Sequence, residues 1–255
     1  MTFQKYAALV EYDGALFRGF QIQAEGRTVQ GEIEKALRNL TGRVIRVQGA
    51  SRTDSGVHAV GQVISFWVPG GFEERTIVRG LNHYLAEDVS IRGVCRIHDD
   101  FDVRRRAVAR HYRYAIVNED TTVPPSVRHM ALRVRRALDV SRMRAAARAL
   151  VGVHDFCSFA TSLDEAGSTV RQVYEARVLD HGSVIEFWIA ANAFLRHQVR
   201  NTVGQLLQVG FGRSGVEVFH ELVNRPQRGA AGPAADARGL CLVKVTYEAP
   251  LQFAA

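Results

Sequence analysis

The stretch GASRTDSGVHAVGQV, Gly49–Val63, decides how the chain folds locally, because it joins two predicted strands with no helix between them. Asp54 lies in the middle of it, flanked by an arginine two residues earlier and a glycine two residues later. Two interpretations are open. In the first, Asp54 shapes a tight turn, since aspartate before a small residue and a glycine is ordinary turn chemistry. In the second, the loop presents the carboxylate to a ligand that the neighbouring cations attract.

The segments around this loop predict the order β-α-β-β-α-β. Short alternating or apolar runs indicate strands, and apolar residues spaced three and four apart indicate helices. The predicted strands are Lys5–Tyr12, Arg43–Ala50, Val60–Val68 and Val89–Ile97, and the predicted helices are Thr28–Leu40 and Glu73–Leu85. This order is that of the ferredoxin-like unit.

The second half of the chain repeats the order of elements without evident sequence identity. Its predicted strands are Arg110–Val117, Val173–Asp180, Val184–Ala190 and Leu240–Tyr247, and its helices are one capped by Ser141, then Arg196–Leu207 and Val216–Val223. We therefore predict an α+β fold of two ferredoxin-like halves, residues 1–103 and 104–255. Each antiparallel sheet should carry helices on one face and leave the other open.

The composition indicates a globular protein with a polyanionic partner. Its 255 residues are 47% hydrophobic and 23% charged, enough to bury a core. The net charge of +7 favours RNA or DNA as a partner. Three scattered cysteines predict neither a disulfide framework nor a zinc site. With no signal-peptide pattern and no apolar run of membrane-spanning length, we expect a cytoplasmic protein.

The segment RRRAVARHYRY, Arg104–Tyr114, is a candidate RNA contact. On a strand, Arg110, Tyr112 and Tyr114 share one face. The alternative is a solvated edge strand with protective charges. Aromatic residues interleaved with arginine favour base stacking beside phosphate contacts.

The segment FLRHQVRNTVG, Phe194–Gly204, places Arg196 and Arg200 one helical turn apart, close to the apolar side of the helix. A half-buried arginine needs a carboxylate partner, and Asp54 is a candidate. His154 and His197 lack the spacing of metal ligands, and we interpret both as structural.

Taken together, these segments resemble the tRNA pseudouridine synthase A family, in order and at compatible spacing from Tyr12 to Tyr247. The matching motifs are YDGALFRGFQIQ (Tyr12–Gln23), SRTDSGVHA (Ser51–Ala59), AVARHYRY (Ala107–Tyr114), GVHDFCSF (Gly152–Phe159), QVRNTVG (Gln198–Gly204) and GLCLVKVTY (Gly239–Tyr247). The departures from the family pattern are Phe20 for Trp, Ser51 for Gly, Ser55 for Ala, Gln198 for Met and Asp236 for Pro. None of these departures removes a catalytic group.

The resemblance implies two ferredoxin-like halves joined into one extended antiparallel sheet, a central active-site cleft and a homodimer. It also implies isomerisation of uridine to pseudouridine at positions 38, 39 and 40 of the tRNA anticodon stem-loop, with no cofactor and no metal. Asp54 matches the family's catalytic nucleophile, and Arg200 matches the basic partner of that aspartate. Tyr112 matches a tyrosine that stacks on the base, and Arg52 matches an arginine that helps to extrude it.

The chemistry of the reaction suits these residue types. The N1–C1′ bond breaks, the uracil turns, and C5 joins C1′, so no electrons pass to a carrier. A carboxylate can attack the sugar or the base, or take a ribose proton, and a paired arginine favours its ionised form. Two other functions stay open: an RNA-binding module, which leaves Asp54 unexplained, and a glycosyl-transfer enzyme for free nucleosides, which leaves the basic surface unexplained.

Overall fold

A computed structural model describes residues 2–119, 128–161 and 167–254. Two segments whose sequence is typical of linkers, 118–129 and 160–169, lie partly outside the described residues. The chain divides into two compact units, one of Met1–Arg110 with Leu242–Ala255 and the other of His111–Cys241. The predicted halves, 1–103 and 104–255, followed from the repeated order of elements, and that division stays a prediction.

The first unit is an antiparallel sheet with two helices. Its elements are β1 (Phe3–Tyr12), α1 (Val29–Thr41), β2 (Gln48–Gly49), β3 (His58–Pro69), α2 (Glu74–Tyr84), β4 (Val89–Arg96) and, from Leu242 onward, β10 (Leu240–Tyr247). The strand order is β4-β1-β3-β10, and β2 pairs with β3. The register of β1 and β3 places Tyr12 opposite Ala59. The last residue of β1 therefore lies beside the start of β3, where the Asp54 loop ends.

Local sequence signals explain the helices of this unit. The Thr28 side chain accepts a hydrogen bond from Gly31 N at the start of α1, and Gly42 ends the helix in the left-handed conformation with φ of 69°. Ile33 and Leu37 of α1 and Leu81 of α2 are fully buried, so both helices pack their apolar faces into the core.

In its described residues, the second unit combines a sheet with three α-helices. Its elements are β5 (Ala107–Val117, from His111 onward), β6 (Leu132–Arg133), α3 (Val140–Ala147), β7 (Gly152–Asp155), β8 (Val170–Asp180), β9 (Val184–Ala191), α4 (Gln198–Gly210) and α5 (Val216–Asn224). The strand order is β5-β9-β8-β7, with the short β6 parallel to β5. A core of Met143, Phe187, Val203 and Phe219 has no measurable exposure, and these residues come from three helices and β9.

The mixed α and β class is confirmed, and the predicted elements are present with three differences. Helix α4 begins at Gln198, so Arg196 lies before the helix and not one helical turn from Arg200 as predicted. Of the predicted strand Arg43–Ala50, only Gln48–Gly49 pairs with a neighbour. The N-cap of α3 is Asp139, whose carboxylate accepts from Arg142 N, and not Ser141. The ferredoxin-like halves, their joining into one sheet and the cleft stay predictions. Within the described ranges, no helix is both long and apolar enough to cross a membrane.

Candidate active site

Asp54 begins a tight turn in the first unit. Val57 N donates to Asp54 O at 3.1 Å, and Gly56 has a φ of 79°. A glycine with positive φ at the third position is typical of a type II turn. The bond that closes the turn uses the main-chain oxygen of Asp54. The Asp54 side chain is half-buried, Thr53 before it is buried, and Arg52 is exposed.

The start of the loop is held by two polar side chains. Gln62 of β3 accepts from Ser51 N at 3.2 Å and donates to Ser51 O. Arg110 donates to Ala50 O at 3.1 Å. The backbone of Ser51 is not in the positive-φ region, so serine fits where the family has glycine.

Residues 12–20 hold the turn from its other side. Phe20 N donates to Thr53 O at 3.0 Å, and Gly56 N donates to Phe17 O at 3.2 Å. The sequence indicated this segment only as a family motif and gave it no role. The structure makes it the support of the Asp54 loop within the first unit.

Tyr112 lies in the second unit on β5. Its ring is 6% exposed and meets the Phe194 ring edge to face, with centroids 5.3 Å apart. Phe194 precedes α4, the helix that carries Arg200. The edge-to-face contact fixes the tilt of the Tyr112 ring, and it connects the predicted stacking residue to the segment that leads into α4.

The basic helix segment is anchored by several hydrogen bonds. Arg200 is half-buried, its Nε donates to Ala235 O at 2.9 Å, and its own carbonyl accepts from Ala235 N at 2.9 Å. Asn201 donates to Phe159 O at 2.7 Å. His197 begins the helix with a φ of 61°, an uncommon conformation for a residue with a side chain. Its Nδ1 lies 3.0 Å from Thr161 Oγ1, consistent with the structural role expected for it.

The predicted RNA-binding segment Arg104–Tyr114 divides into structural and exposed parts. Arg110 is 7% exposed and donates to three main-chain carbonyls, so its head group supports the loops. The Tyr114 hydroxyl donates to Asp236 O, and burial raises its pKa well above the usual value. The three arginines Arg104, Arg105 and Arg106 are exposed. Tyr112, the third residue of this face, is also buried at 6% exposure, and its role in base stacking stays a prediction.

A carboxylate stands next to the exposed basic run. Burial disfavours the charge on Asp102, but hydrogen bonds from the backbone N–H of Arg105 and Arg104 and from the Gln48 amide outweigh it and hold the pKa of Asp102 below its usual value. Asp102 therefore stays ionised, and its hydrogen bonds hold the backbone at the start of the Arg104–Arg106 segment. Arg105 extends from it with 88% of its side chain exposed.

The four predicted site residues fall into two pairs by unit. Arg52 and Asp54 belong to the first unit, and Tyr112 and Arg200 belong to the second. The pairing of Arg200 with Asp54 connects residues of different units and stays a prediction. In the part of the chain that the structure describes, no cluster of three or more His, Cys, Asp or Glu side chains has the geometry to hold a metal ion.

Comparison with known proteins identifies the family. A family model described as tRNA pseudouridine synthase matches residues 8–104 and 146–248. A Bacillus cereus protein named tRNA pseudouridine synthase A 2 is 37% identical over 243 residues, covering 95% of this chain and 99% of the relative. A Chloroflexus aurantiacus protein named tRNA pseudouridine synthase A is 43% identical over 246 residues, covering 94% and 88%.

Among solved structures, an archaeal box H/ACA sRNP Nop10–Cbf5 complex aligns with a TM-score of 0.34 and 12% identity over 80% of this chain and 44% of that one, too slight a likeness to support an inference. The family match and the curated relatives span most of the sequence, including the Asp54 loop and the Arg200 helix. The chain therefore belongs to the tRNA pseudouridine synthase family, isomerases that convert uridine in tRNA to pseudouridine.

Proposed function

We propose that this isomerase acts on uridines 38, 39 and 40 of the tRNA anticodon stem-loop, with Asp54 as its nucleophile and without a cofactor. Isomerisation exchanges no electrons with a carrier, so the chemistry requires only groups that break and remake a glycosidic bond. The observation that carries the proposal is the half-buried Asp54 on a turn whose backbone is held by residues 12–20. Such support is what a nucleophile needs to keep one orientation.

The remaining candidates take complementary roles. Arg200 is the cationic partner of the Asp54 carboxylate, since a neighbouring positive charge stabilises a carboxylate during the reaction. Tyr112 offers a ring whose tilt Phe194 fixes, and the detached uracil stacks on it during its turn. Arg52, exposed two residues before Asp54, fills the space of the extruded base. Extrusion costs a few kcal/mol, and contacts made by inserted side chains offset that cost.

The charge of the chain supports tRNA as the substrate rather than a free nucleoside. A net charge of +7 and three consecutive exposed arginines, Arg104–Arg106, suit a ligand with many phosphates. We also propose that the active form is a cytoplasmic homodimer, as the family resemblance implies.

The first prediction tests the nucleophile with Asp54→Asn. Asparagine preserves the size and turn-forming capacity of the side chain but removes the negative charge, so we expect folded protein, tRNA binding within about threefold and no pseudouridine formation. The assay is tritium release from [5-³H]uridine-labelled tRNA, which only a reaction at C5 produces. Replacing uridine with cytidine at position 38, 39 or 40 separately then identifies the target positions.

Asp139→Asn is the matched control. Asp139 is an exposed helix N-cap in the second unit, and asparagine caps as well as aspartate. We expect full activity from this variant. Turnover by Asp54→Asn at the wild-type rate would contradict the nucleophile and return Asp54 to a turn-forming role. Wild-type protein that binds tRNA but releases no tritium would favour the RNA-binding module.

A further inference from the structure

We propose that Tyr12 is a positioning residue for the reaction: through Thr53 it fixes the orientation of Asp54. The inference rests on the proposed role of Asp54 as nucleophile. Tyr12 is the last residue of β1, and Thr53 immediately precedes Asp54. The Tyr12 hydroxyl and Thr53 Oγ1 lie 2.8 Å apart and share a buried hydrogen bond. The two residues are 3% and 7% exposed, so water competes little for this bond.

Main-chain packing shows that the contact is part of a close fit between the two segments. A Cβ on Gly14 would lie 2.0 Å from Val57 O, and a Cβ on Gly19, whose φ is 93°, would lie 2.7 Å from Thr53 O. Real Cβ atoms do not approach oxygen that closely, so only glycine allows the two backbones to meet. The glycines of the YDGALFRGF motif are therefore explained by their approach to the loop that carries Asp54.

A second contact holds the far end of the same loop. His58 is 1% exposed, and its Nδ1 lies 3.1 Å from Gly14 N and 3.0 Å from Asp13 Oδ1. Ser55 donates from its hydroxyl to Phe17 O at 3.1 Å. Residues 12–20 thus contact the loop on both sides of Asp54. With both flanks held, the Asp54 backbone has little freedom to rotate. The Tyr12–Thr53 bond fixes the side chain of Thr53, the residue next to Asp54.

This arrangement has a kinetic consequence. A carboxylate that attacks carbon must approach along one direction, and a displacement of about 1 Å can cost on the order of 100-fold in rate. Tyr12 is buried behind Thr53, so its hydroxyl should affect the chemical step without contributing to tRNA affinity. If the hydroxyl merely stabilised the fold, its removal would instead lower the free energy of unfolding and leave kcat unchanged below the melting range.

The test compares Tyr12→Phe, Thr53→Val, Thr53→Ser and the Tyr12→Phe/Thr53→Val double variant by tritium release. We expect kcat to fall by about 10- to 100-fold in each single variant that lacks a hydroxyl, with KM for tRNA within about twofold. The double variant should be no slower than either single variant, because both remove the same bond. Thr53→Ser keeps a hydroxyl at the same position and should recover most of kcat.

Tyr6→Phe is the matched control for lost stability. Tyr6 lies on the same strand and is fully buried. Its hydroxyl donates to Phe72 O at 2.8 Å, and this bond does not involve the Asp54 loop. This variant should lose a similar amount of thermal stability and keep its kcat. Equal kcat for Tyr12→Phe and Tyr6→Phe, or parallel losses of kcat and tRNA affinity, would overturn the inference. Activity in Asp54→Asn would instead overturn the proposed nucleophile, so the two failures are distinguishable.

Discussion

Arg200 combines a structural contact with a proposed catalytic one. Its Nε donates to Ala235 O, while its charge is proposed to stabilise the negative charge of Asp54. We expect Arg200→Ala to lower kcat on the order of 100-fold, as for loss of a group that stabilises charge in an active site, with tRNA affinity within about threefold. Arg200→Lys should recover part of kcat, because lysine restores the charge but not the planar fork.

The control for Arg200 is Arg196→Ala, which removes an exposed arginine four residues earlier, before α4 begins. Its loss should weaken tRNA binding and leave kcat nearly unchanged. Single-turnover rates at saturating enzyme separate the two effects, and filter binding gives the affinities. If Arg200→Ala loses affinity and rate in the same proportion, Arg200 is a phosphate contact.

At the residue scale, the sequence offers candidates for the side chains that carry the chemistry and does not indicate those that hold the Asp54 loop. Asp54 and Arg200 stand out as a carboxylate and an arginine within distinctive motifs. Tyr12 and Thr53 do not, because a buried hydrogen bond between positions 41 residues apart leaves no local pattern. The close approach of Gly14 and Gly19 to the Asp54 loop is likewise visible only in the folded chain.

A glycine in helix α4, Gly204, allows the helix to pack closely against another segment of the second unit. A Cβ on Gly204 would lie 2.3 Å from Pro233 O, a backbone atom of the segment that binds Arg200. Alanine improves helix propensity by about 1 kcal/mol, but forcing this segment away should cost about 1–3 kcal/mol or more. We expect Gly204→Ala to lower Tm by a few degrees, since 1 kcal/mol corresponds to about 2–4 °C for proteins of this size. It should also lower kcat by displacing Ala235 from Arg200.

Gly80→Ala in α2 is the control for this helix. There the added Cβ would meet Leu40 Cδ1 at 2.6 Å, the end of a flexible side chain that can turn aside. The same gain in propensity should therefore leave Tm unchanged or slightly raised. Thermal unfolding of both variants, followed by circular dichroism, measures the contrast. Equal Tm changes would contradict the close approach at Gly204.

At the element scale, periodicity predicted helices and long strands well and short segments poorly. Helix α1 begins after Thr28 and ends at Gly42, as the capping preferences of threonine and glycine indicate. Residues 43–47 are rich in β-branched side chains like a strand, yet of the predicted strand only Gln48–Gly49 pairs with a neighbouring strand. A strand is defined by pairing, which its own sequence does not encode. The N-cap of α3 is Asp139 and not the predicted Ser141. Both residue types cap helices, and the path of the backbone decides which of the two does so.

For the whole molecule, the order of elements did not predict which unit contains the last strand. From Leu242 onward β10 belongs to the first unit, next to β3. Gly61, the fourth residue of β3, marks the contact with β10, because a Cβ added there would lie 2.0 Å from Val243 O. A glycine inside a strand often marks the close approach of another backbone, but it does not name which segment approaches.

The net charge of +7 leads to the last prediction, which concerns tRNA binding as a function of salt. If about six phosphates are contacted, affinity should fall roughly 10³-fold between about 50 and 200 mM salt. Arg105, at 88% side-chain exposure within the basic run, is the clearest candidate for one such contact. Arg105→Gln should therefore reduce the slope of log affinity against log salt by about 0.9. Arg79→Gln removes the same charge from an exposed position on α2 and should leave the slope unchanged. Equal slopes for the two variants would assign the salt response to net charge alone, and a flat response of the wild type would contradict the polyanionic partner.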